Sequence, residues 1–462
     1  MSLILTGRPG KGFSEAALFR PQSLALYADP ALPEARTIAR NLAEGGFQGR
    51  LMGGAFGAVE GSPDVAVVAL PPEAQEAAFA AIAATGCRAV VVPVAAPGLR
   101  AAMQRHGMRA LGERSFGLAL PHLGLNATLA HRPIPAGKLA LMAQSSALAR
   151  AALDWAAADG LGFSHVIGIG ANDDIGFAAG LDWLARDART ACVMLEVRRI
   201  KNRRLFVSAA RATARNRPVI ALRPGERMAG AQAVTDAVLR RAGVLHVAGF
   251  EEWVAAAETL ARTRAKAGAG AGDRVAVIAN GLGLARLAAD ALEEEGLHLA
   301  ELRPATAAAL RLFLPEGWQA RNPLSLGAGG GVRLAEAAAA LAAAPEVDTV
   351  IALHAPSPEE DDATTLAALR AAGQANRGAP LLLGWLGSLP APEPTLPIFP
   401  TPEAAARGAL HLSRERRNRA AASELPPAEV LQLRPDREAA RRLIARARAE
   451  GRDALREDEA LA

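Results

Sequence analysis

The sequence predicts an α/β protein built from three consecutive parallel-sheet units. Three observations predict it. Short apolar runs alternate with alanine-rich helical stretches along nearly the whole chain, the pattern of strand–helix–strand crossovers. Two breaks divide that alternation, a proline-rich hinge from His131 to Gly137 and a glycine–alanine linker from Lys266 to Gly272. One local device also recurs: a strand, a turn of small polar residues and a helix start, at Gln144-Ser145-Ser146 and again at Asn280-Gly281. Such a turn can hold an anion, because unpaired backbone N–H groups and the positive end of the helix dipole point the same way. On spacing alone, the simpler reading is that Ser145 only caps its helix.

In the first unit, residues 14–130, strands are expected at Leu24–Tyr27, Val65–Leu70, Ala89–Val94 and Met108–Leu111. Helices are expected at Leu32–Gly45, Glu73–Thr85 and Gly98–His106. A mononucleotide-type fold places a glycine-rich turn after its first strand. Here the turn reads Ala28-Asp29-Pro30-Ala31-Leu32-Pro33, with no glycine, two prolines that cannot donate N–H, and a carboxylate where a phosphate would sit. The second unit, residues 138–265, has strand signals at Leu139–Met142, Val166–Ile169, Cys192–Val197, Val219–Leu222 and Val244–Val247. Gly170-Ala171-Asn172-Asp173-Asp174 follows the second of these, on the carboxyl edge where open α/β sheets bind ligands. The third unit, residues 273–420, has strands at Val275–Ala279, Leu297–Leu302, Thr349–Leu353 and Leu381–Gly384. A charged helical tail, residues 427–462, closes the chain, with its helix expected over Arg437–Glu459.

Composition excludes several function classes. No apolar run is long and clean enough to span a bilayer, and Met1–Gly12 lacks the apolar core of a signal peptide. Cys87 and Cys192 lie in apolar strand-like runs, as buried hydrophobes rather than a disulfide or metal pair. These features place the chain in the cytoplasm. The net charge of +5 comes from arginines scattered over amphipathic helices, and aromatics to stack bases are few, which argues against nucleic acid. The eight histidines are dispersed without metal-ligand spacing, so no metal site is expected.

A family resemblance rests on Leu18-Phe19-Arg20-Pro21, Asn41-Leu42, Val65 to Pro71, Gly124-Leu125-Asn126-Ala127-Thr128 and Gln144-Ser145. It continues through Leu153-Asp154-Trp155, Leu181-Asp182-Trp183-Leu184, Ser208 to Arg211 and Asn322-Pro323. In this order and over nearly the whole length, the chain resembles the NDP-forming acyl-CoA synthetases, relatives of succinyl-CoA ligase. It is most similar to the long bacterial form, in which this region precedes an ATP-grasp domain and often a GNAT-type acetyltransferase. The resemblance implies a CoA-binding Rossmann-like domain followed by two flavodoxin-like domains. It also implies a phosphoryl relay from ATP through an active-site histidine to a carboxylic acid, with CoA displacing the phosphate.

Set against that pattern, the motif positions depart. The family's Ser-His-Thr-Gly loop is replaced by Arg223-Pro224-Gly225-Glu226-Arg227-Met228-Ala229-Gly230, without histidine. The carboxylate that would orient the ring falls at Arg198; Glu196, two residues back, could serve only with a local shift. The loop after Gly49-Arg50-Leu51 is short, and the family's Gly-Pro-Asn-Ser turn reads Gly112-Glu113-Arg114-Ser115. The resemblance assigns CoA contacts to Ala28, Asp29, Leu70, Pro71 and Ser115, and phosphate contacts to Gln144, Ser145, Ser146, Asn280 and Gly281. No residue is assigned a catalytic role. The expected function is a catalytically degenerate relative that binds CoA or acyl-CoA weakly, as a regulator or scaffold. The alternatives are an active acyl-CoA ligase subunit working with a separate ATP-grasp subunit, and a binding module without nucleotide chemistry. An ATP-grasp subunit, a GNAT-type acetyltransferase or a second copy of the chain are the expected partners.

Overall fold

A computed structural model of the chain describes residues 13–52, 61–225, 232–263, 273–314, 319–327, 330–390, 395–423 and 436–459 apart from 453 and 457. It has two compact units, Met1–Ala422 and Ser423–Ala462. The first unit contains three sheets, which gives the α/β class of consecutive parallel-sheet domains that the sequence predicts.

The first sheet holds β1 (Ser23–Ala28), β2 (Arg50–Met52), β3 (Val65–Ala69), β4 (Ala89–Val91) and β5 (Arg109–Leu111), all parallel in the order β2-β1-β3-β4-β5. Every residue of β3 and β4 is buried, as expected of strands covered on both faces. Pro33 and Pro72 open the two helices that follow β1 and β3, where a missing N–H costs nothing.

The second sheet holds β6 (Gly117–Leu120), β7 (Leu125–Thr128), β8 (Ala136–Ala143), β9 (Phe163–Gly168), β10 (Cys192–Glu196), β11 (Val219–Leu222) and β12 (Leu245–Val247). Their order is β12-β11-β10-β8-β9-β6-β7. The last two form an antiparallel hairpin on the β9 edge, Gly117 opposite Thr128 and Leu118 opposite Ile167. This hairpin is a departure from the sequence reading, which proposed no strands there and counted residues 117–128 with the first unit. Gly117 has φ 107°, and a Cβ there would lie 2.1 Å from the Ala127 carbonyl oxygen. Only glycine fits such an approach.

The third sheet holds β13 (Arg274–Ala279), β14 (His298–Leu299), β15 (Leu324–Ser325), β16 (Thr349–His354), β17 (Leu381–Trp385) and β18 (Ile398–Phe399). The path is β14-β13-β16-β17-β18, with β15 also on β13. Buried side chains run continuously between sheets: one core joins β8, β10 and β13 residues, another joins β1, β3 and β9 residues. The helix Pro402–Ser423 buries Ala405, Ala409 and Leu412 in the first of these cores. Among the described residues no helix is long and apolar enough to cross a membrane.

In the second unit, Asp436 caps the helix Arg437–Ala449 by accepting from Glu438 N and Ala439 N. This helix ends ten residues before the expected Glu459. Its C-terminal side is held by Arg452, whose guanidinium pairs with Glu450 and Glu459 at 2.7 and 2.8 Å.

Candidate functional site

A set of hydrogen-bonded polar groups meets at the carboxyl edge of the second sheet. Leu139–Ala143 is an unbroken apolar run and every residue of it is buried. Alanine-rich sequence then forms the helix Ser146–Ala158, which buries Ala149, Ala152, Leu153 and Ala156, the spacing of one helical face. Ser145 is its N-cap: the hydroxyl accepts from Leu148 N at 3.3 Å. The turn between strand and helix therefore exposes the backbone N–H groups of Gln144 and Ser145 toward the sheet edge.

Those two N–H groups are already engaged. The Glu196 carboxylate, at the end of β10 directly opposite Ala143, accepts from Gln144 N and Ser145 N, both at 2.7 Å on Oε2. Glu196 is fully buried. Its Oε1 has no hydrogen-bond partner among the described residues and faces the Arg198 guanidinium at 3.5 Å. Gln144 completes the knot: Oε1 accepts from Arg198 N and Arg199 N at 2.8 Å each, and Nε2 donates to the Gly170 carbonyl at 3.1 Å. Sequence register set Glu196 aside in favour of Arg198; the fold brings its carboxylate to the turn, with Arg198 beside it. Ser146 is half-buried at the first position of the helix.

A small recess of about 100 Å³ opens beside this knot, with Ile175, Phe177, Ile200 and Phe206 as its apolar walls and Asn172 and Lys201 at its rim. Asn172, at φ 62°, ties the two rim loops together by donating to the Arg199 carbonyl at 2.9 Å. Burial, with Arg100 nearby, pushes the Lys201 ammonium pKa down. Asp174 is a tether: it accepts from Arg109 Nε and Ala110 N at 2.7 Å each, pinning the loop to β5.

On the first sheet, the register pairs Ala28 with Ala69, so Ala28-Asp29 and Leu70-Pro71 stand side by side at its carboxyl edge. Asp29 Oδ1 accepts from Ala31 N at 2.9 Å, and Arg36 donates to the carbonyls of Pro30 and Ala31 at 2.7 and 2.8 Å. Ser115 stands apart from them. It is fully buried, its hydroxyl donates to Gly168 O at 2.6 Å and accepts from Gly117 N at 2.9 Å. On the third sheet, Asn280 is buried and exchanges hydrogen bonds with the Ala355 backbone, at 2.7 and 3.0 Å. Gly281 begins the following helix with no side-chain cap. Beside them His354, also buried, pairs with Asp362 at 2.9 Å and Glu360 at 3.5 Å. The ten assigned contact residues thus fall on three separate sheet edges, plus one core serine.

His246 and His165 both lie away from the Gln144 turn. His246 is on β12, level with Ala221, Leu195 and Met142 across the sheet. Three strand spacings separate β12 from β8, about 14 Å. His165 sits on β9 opposite Ala140, four residues back from the turn. Burial lowers the His165 imidazole pKa to about 4, and Trp183 Nε1 donates to its Nε2 at 3.3 Å. Residues 226–231, where the histidine loop would run, lie outside the described residues. Among the described residues no group of His, Cys, Asp or Glu could hold a metal ion.

Comparison with known proteins places this geometry in a context. The family described as Succinyl-CoA ligase like flavodoxin domain matches residues 136–260. The chain is 27% identical over 451 residues to acetate–CoA ligase [ADP-forming] I subunit alpha of Pyrococcus furiosus, covering 84% of this chain and 95% of that one. It is 27% identical over 321 residues to acetate–CoA ligase [ADP-forming] II subunit alpha of the same organism, covering 64% and 69%. Its fold matches apo dinucleotide-forming acetyl-coenzyme A synthetase 1 of Ca. Korarchaeum cryptofilum with a TM-score of 0.80 at 21% identity, covering 88% of this chain and 99% of that one. Together these similarities make the chain like the α subunit of an ADP-forming acetate–CoA ligase along most of its length, with a succinyl-CoA ligase-like domain at residues 136–260.

Proposed function

We propose that this chain is a cytoplasmic CoA- or acyl-CoA-binding protein on an ADP-forming ligase α-subunit scaffold, and that its phosphoryl relay is closed. The observation that carries the reading is Glu196. Its carboxylate takes the two N–H groups of the Gln144–Ser145 turn at 2.7 Å each, the groups an incoming phosphate would need. A phosphate there would meet a buried negative charge at contact distance as well as the loss of its donors. The sequence of the 223–231 loop contains no histidine, which removes the covalent carrier from the place where the family keeps it. CoA fits the paired Ala28-Asp29 and Leu70-Pro71 edge of the first sheet, weakly, because Asp29 places a carboxylate in the phosphate-facing turn. The recess walled by Phe177 and Phe206 suits a short apolar acyl tail.

The test is phosphorylation. The chain is incubated with labelled ATP and the ATP-grasp subunit of an ADP-forming acetate–CoA ligase, then assayed for acid-labile phosphate. No label is expected on this chain, while CoA binds measurably by calorimetry. Stoichiometric acid-labile label would overturn the reading. One observation favours the active-ligase alternative: the match runs over 95% of a named ligase α subunit. On that reading the chain pairs with an ATP-grasp subunit, and mixing the two restores acetate-dependent acetyl-CoA synthesis.

A further inference from the structure

We propose a second ligand site, independent of the reading above: an anion pocket for a phosphorylated small molecule, between the β12 edge and the helix Pro402–Ser423. A cavity of about 420 Å³ lies there, within the size range of small-molecule sites. Its walls carry Arg240, Arg414, Arg417, Asn418, His246 and Asp236. The construction is deliberate at the level of helix spacing. Asp236 and Arg240 are four apart on the helix Gln232–Arg241, so they share a face. Arg414 and Arg417 are three apart on the long helix and share another. Asn418 Nδ2 donates to the Val244 carbonyl at 3.1 Å, fixing the long helix against the start of β12.

The charge balance selects an anion. Three guanidiniums line the cavity against one carboxylate, and that carboxylate, Asp236, is held by His246 Nδ1. The acids behind the arginines are loosely placed. Glu252 stands 3.5 Å from Arg414 and accepts from Ala248 N at 2.7 Å; Asp273 stands 3.6 Å from Arg417 and accepts from the Ser413 hydroxyl. Both arginine contacts are longer than the 2.7–2.9 Å of a charge-assisted hydrogen bond. Arg414 and Arg417 are about half exposed, and Arg240 has no acidic partner among the described residues. Arginine forks suit phosphate oxygens, which accept two parallel N–H bonds from one guanidinium. The pocket abuts Val244 and Leu245, at the start of β12, whereas the Gln144 turn lies at the carboxyl edge. A ligand here would join the second sheet to the helix that also donates, through Arg416, to the Asp348 carbonyl just before β16.

The full chain is titrated calorimetrically with inorganic pyrophosphate and, separately, ADP. Pyrophosphate is expected to bind, and Arg240→Ala or Arg417→Ala to weaken it about tenfold or more, the loss of one or two charge-assisted hydrogen bonds. Tighter binding of ADP identifies a nucleotide ligand, and equal binding a phosphate group alone; either supports the site. Hydrogen exchange on the unmutated chain supplies a readout that needs no variant: pyrophosphate should slow exchange in 236–246 and 411–420. Absence of binding at millimolar pyrophosphate and ADP, or binding unchanged in the Arg240→Ala/Arg417→Ala double variant, or no protection in those segments, overturns the proposal.

Discussion

Replacing Glu196 with alanine tests the closed turn most directly. The side chain accepts two backbone N–H bonds at 2.7 Å and is wholly buried. A hydrogen bond to a charged group contributes about 1.5–3 kcal/mol net, and each buried N–H left unpaired costs about 1–3 kcal/mol. Relief of the buried charge, whose Oε1 lacks a hydrogen bond, offsets part of this. The expected loss is about 2–4 kcal/mol, read as a drop of roughly 5–10 °C in the unfolding transition of a domain this size. Formate can then refill the vacated position with the same chemistry. At four times its dissociation constant it should return about 1 kcal/mol to the variant and nothing to the parent, with chloride as the ionic-strength control. A variant as stable as the parent, or formate stabilising both alike, would refute the claim that Glu196 occupies the turn's donors.

Three further outcomes follow from the same structure. Asp29→Gly frees Ala31 N and removes the carboxylate from the β1 turn, so CoA affinity measured by calorimetry should rise about tenfold, the worth of about 1.4 kcal/mol. Gly117→Ala forces a Cβ to 2.1 Å from Ala127 O at φ 107°, and should cost more than about 2 kcal/mol in urea unfolding, because the contact is backbone and cannot rotate away. His165 is held neutral by burial, with its pKa lowered to about 4 from an ordinary 6.5, and its Nε2 accepts from Trp183. The unfolded chain therefore binds a proton that the folded one refuses. Stability is full above about 6.5 and is lost as pH falls from there toward 4, by up to about 3 kcal/mol; His165→Gln should flatten that slope in pH-dependent melting.

The strands were legible wherever burial on both faces writes an unbroken apolar run. Val219–Leu222 agrees to the residue, and β3, β8 and β13 to within three residues at either end. Pairs such as Gly117–Leu120 and Leu125–Thr128 were not legible. Each is four residues long, and the turn between them carries Pro121 and Gly124, so nothing in the pattern distinguishes a hairpin from loop. Ala89–Val94 came out short because Pro93 cannot continue a ladder, leaving only Ala89–Val91. Ser145 as a helix cap was readable from its position before an alanine-rich run. Glu196 as the occupant of the turn was not, because its carboxylate arrives from a strand 52 residues away, by a sheet register that spacing alone cannot fix.

That occupant shows how a carboxylate of the chain itself can fill the donors of a strand–turn–helix junction. A strand–turn–helix junction selects negative charge by its N–H groups and dipole, whatever the source of the charge. At the second sheet Glu196 supplies it, and at the first Asp29 does so for Ala31 N. A carboxylate carried on the chain acts at a high effective concentration, so a free phosphate must displace it rather than simply bind. The core that holds β8, β10 and the helix Ser146–Ala158 does not include Glu196, so the turn's occupant is not one of its packing side chains. Similarity over nearly the whole chain and a filled anion turn are therefore compatible: the first is set by the buried apolar runs, the second by one side chain at the end of β10.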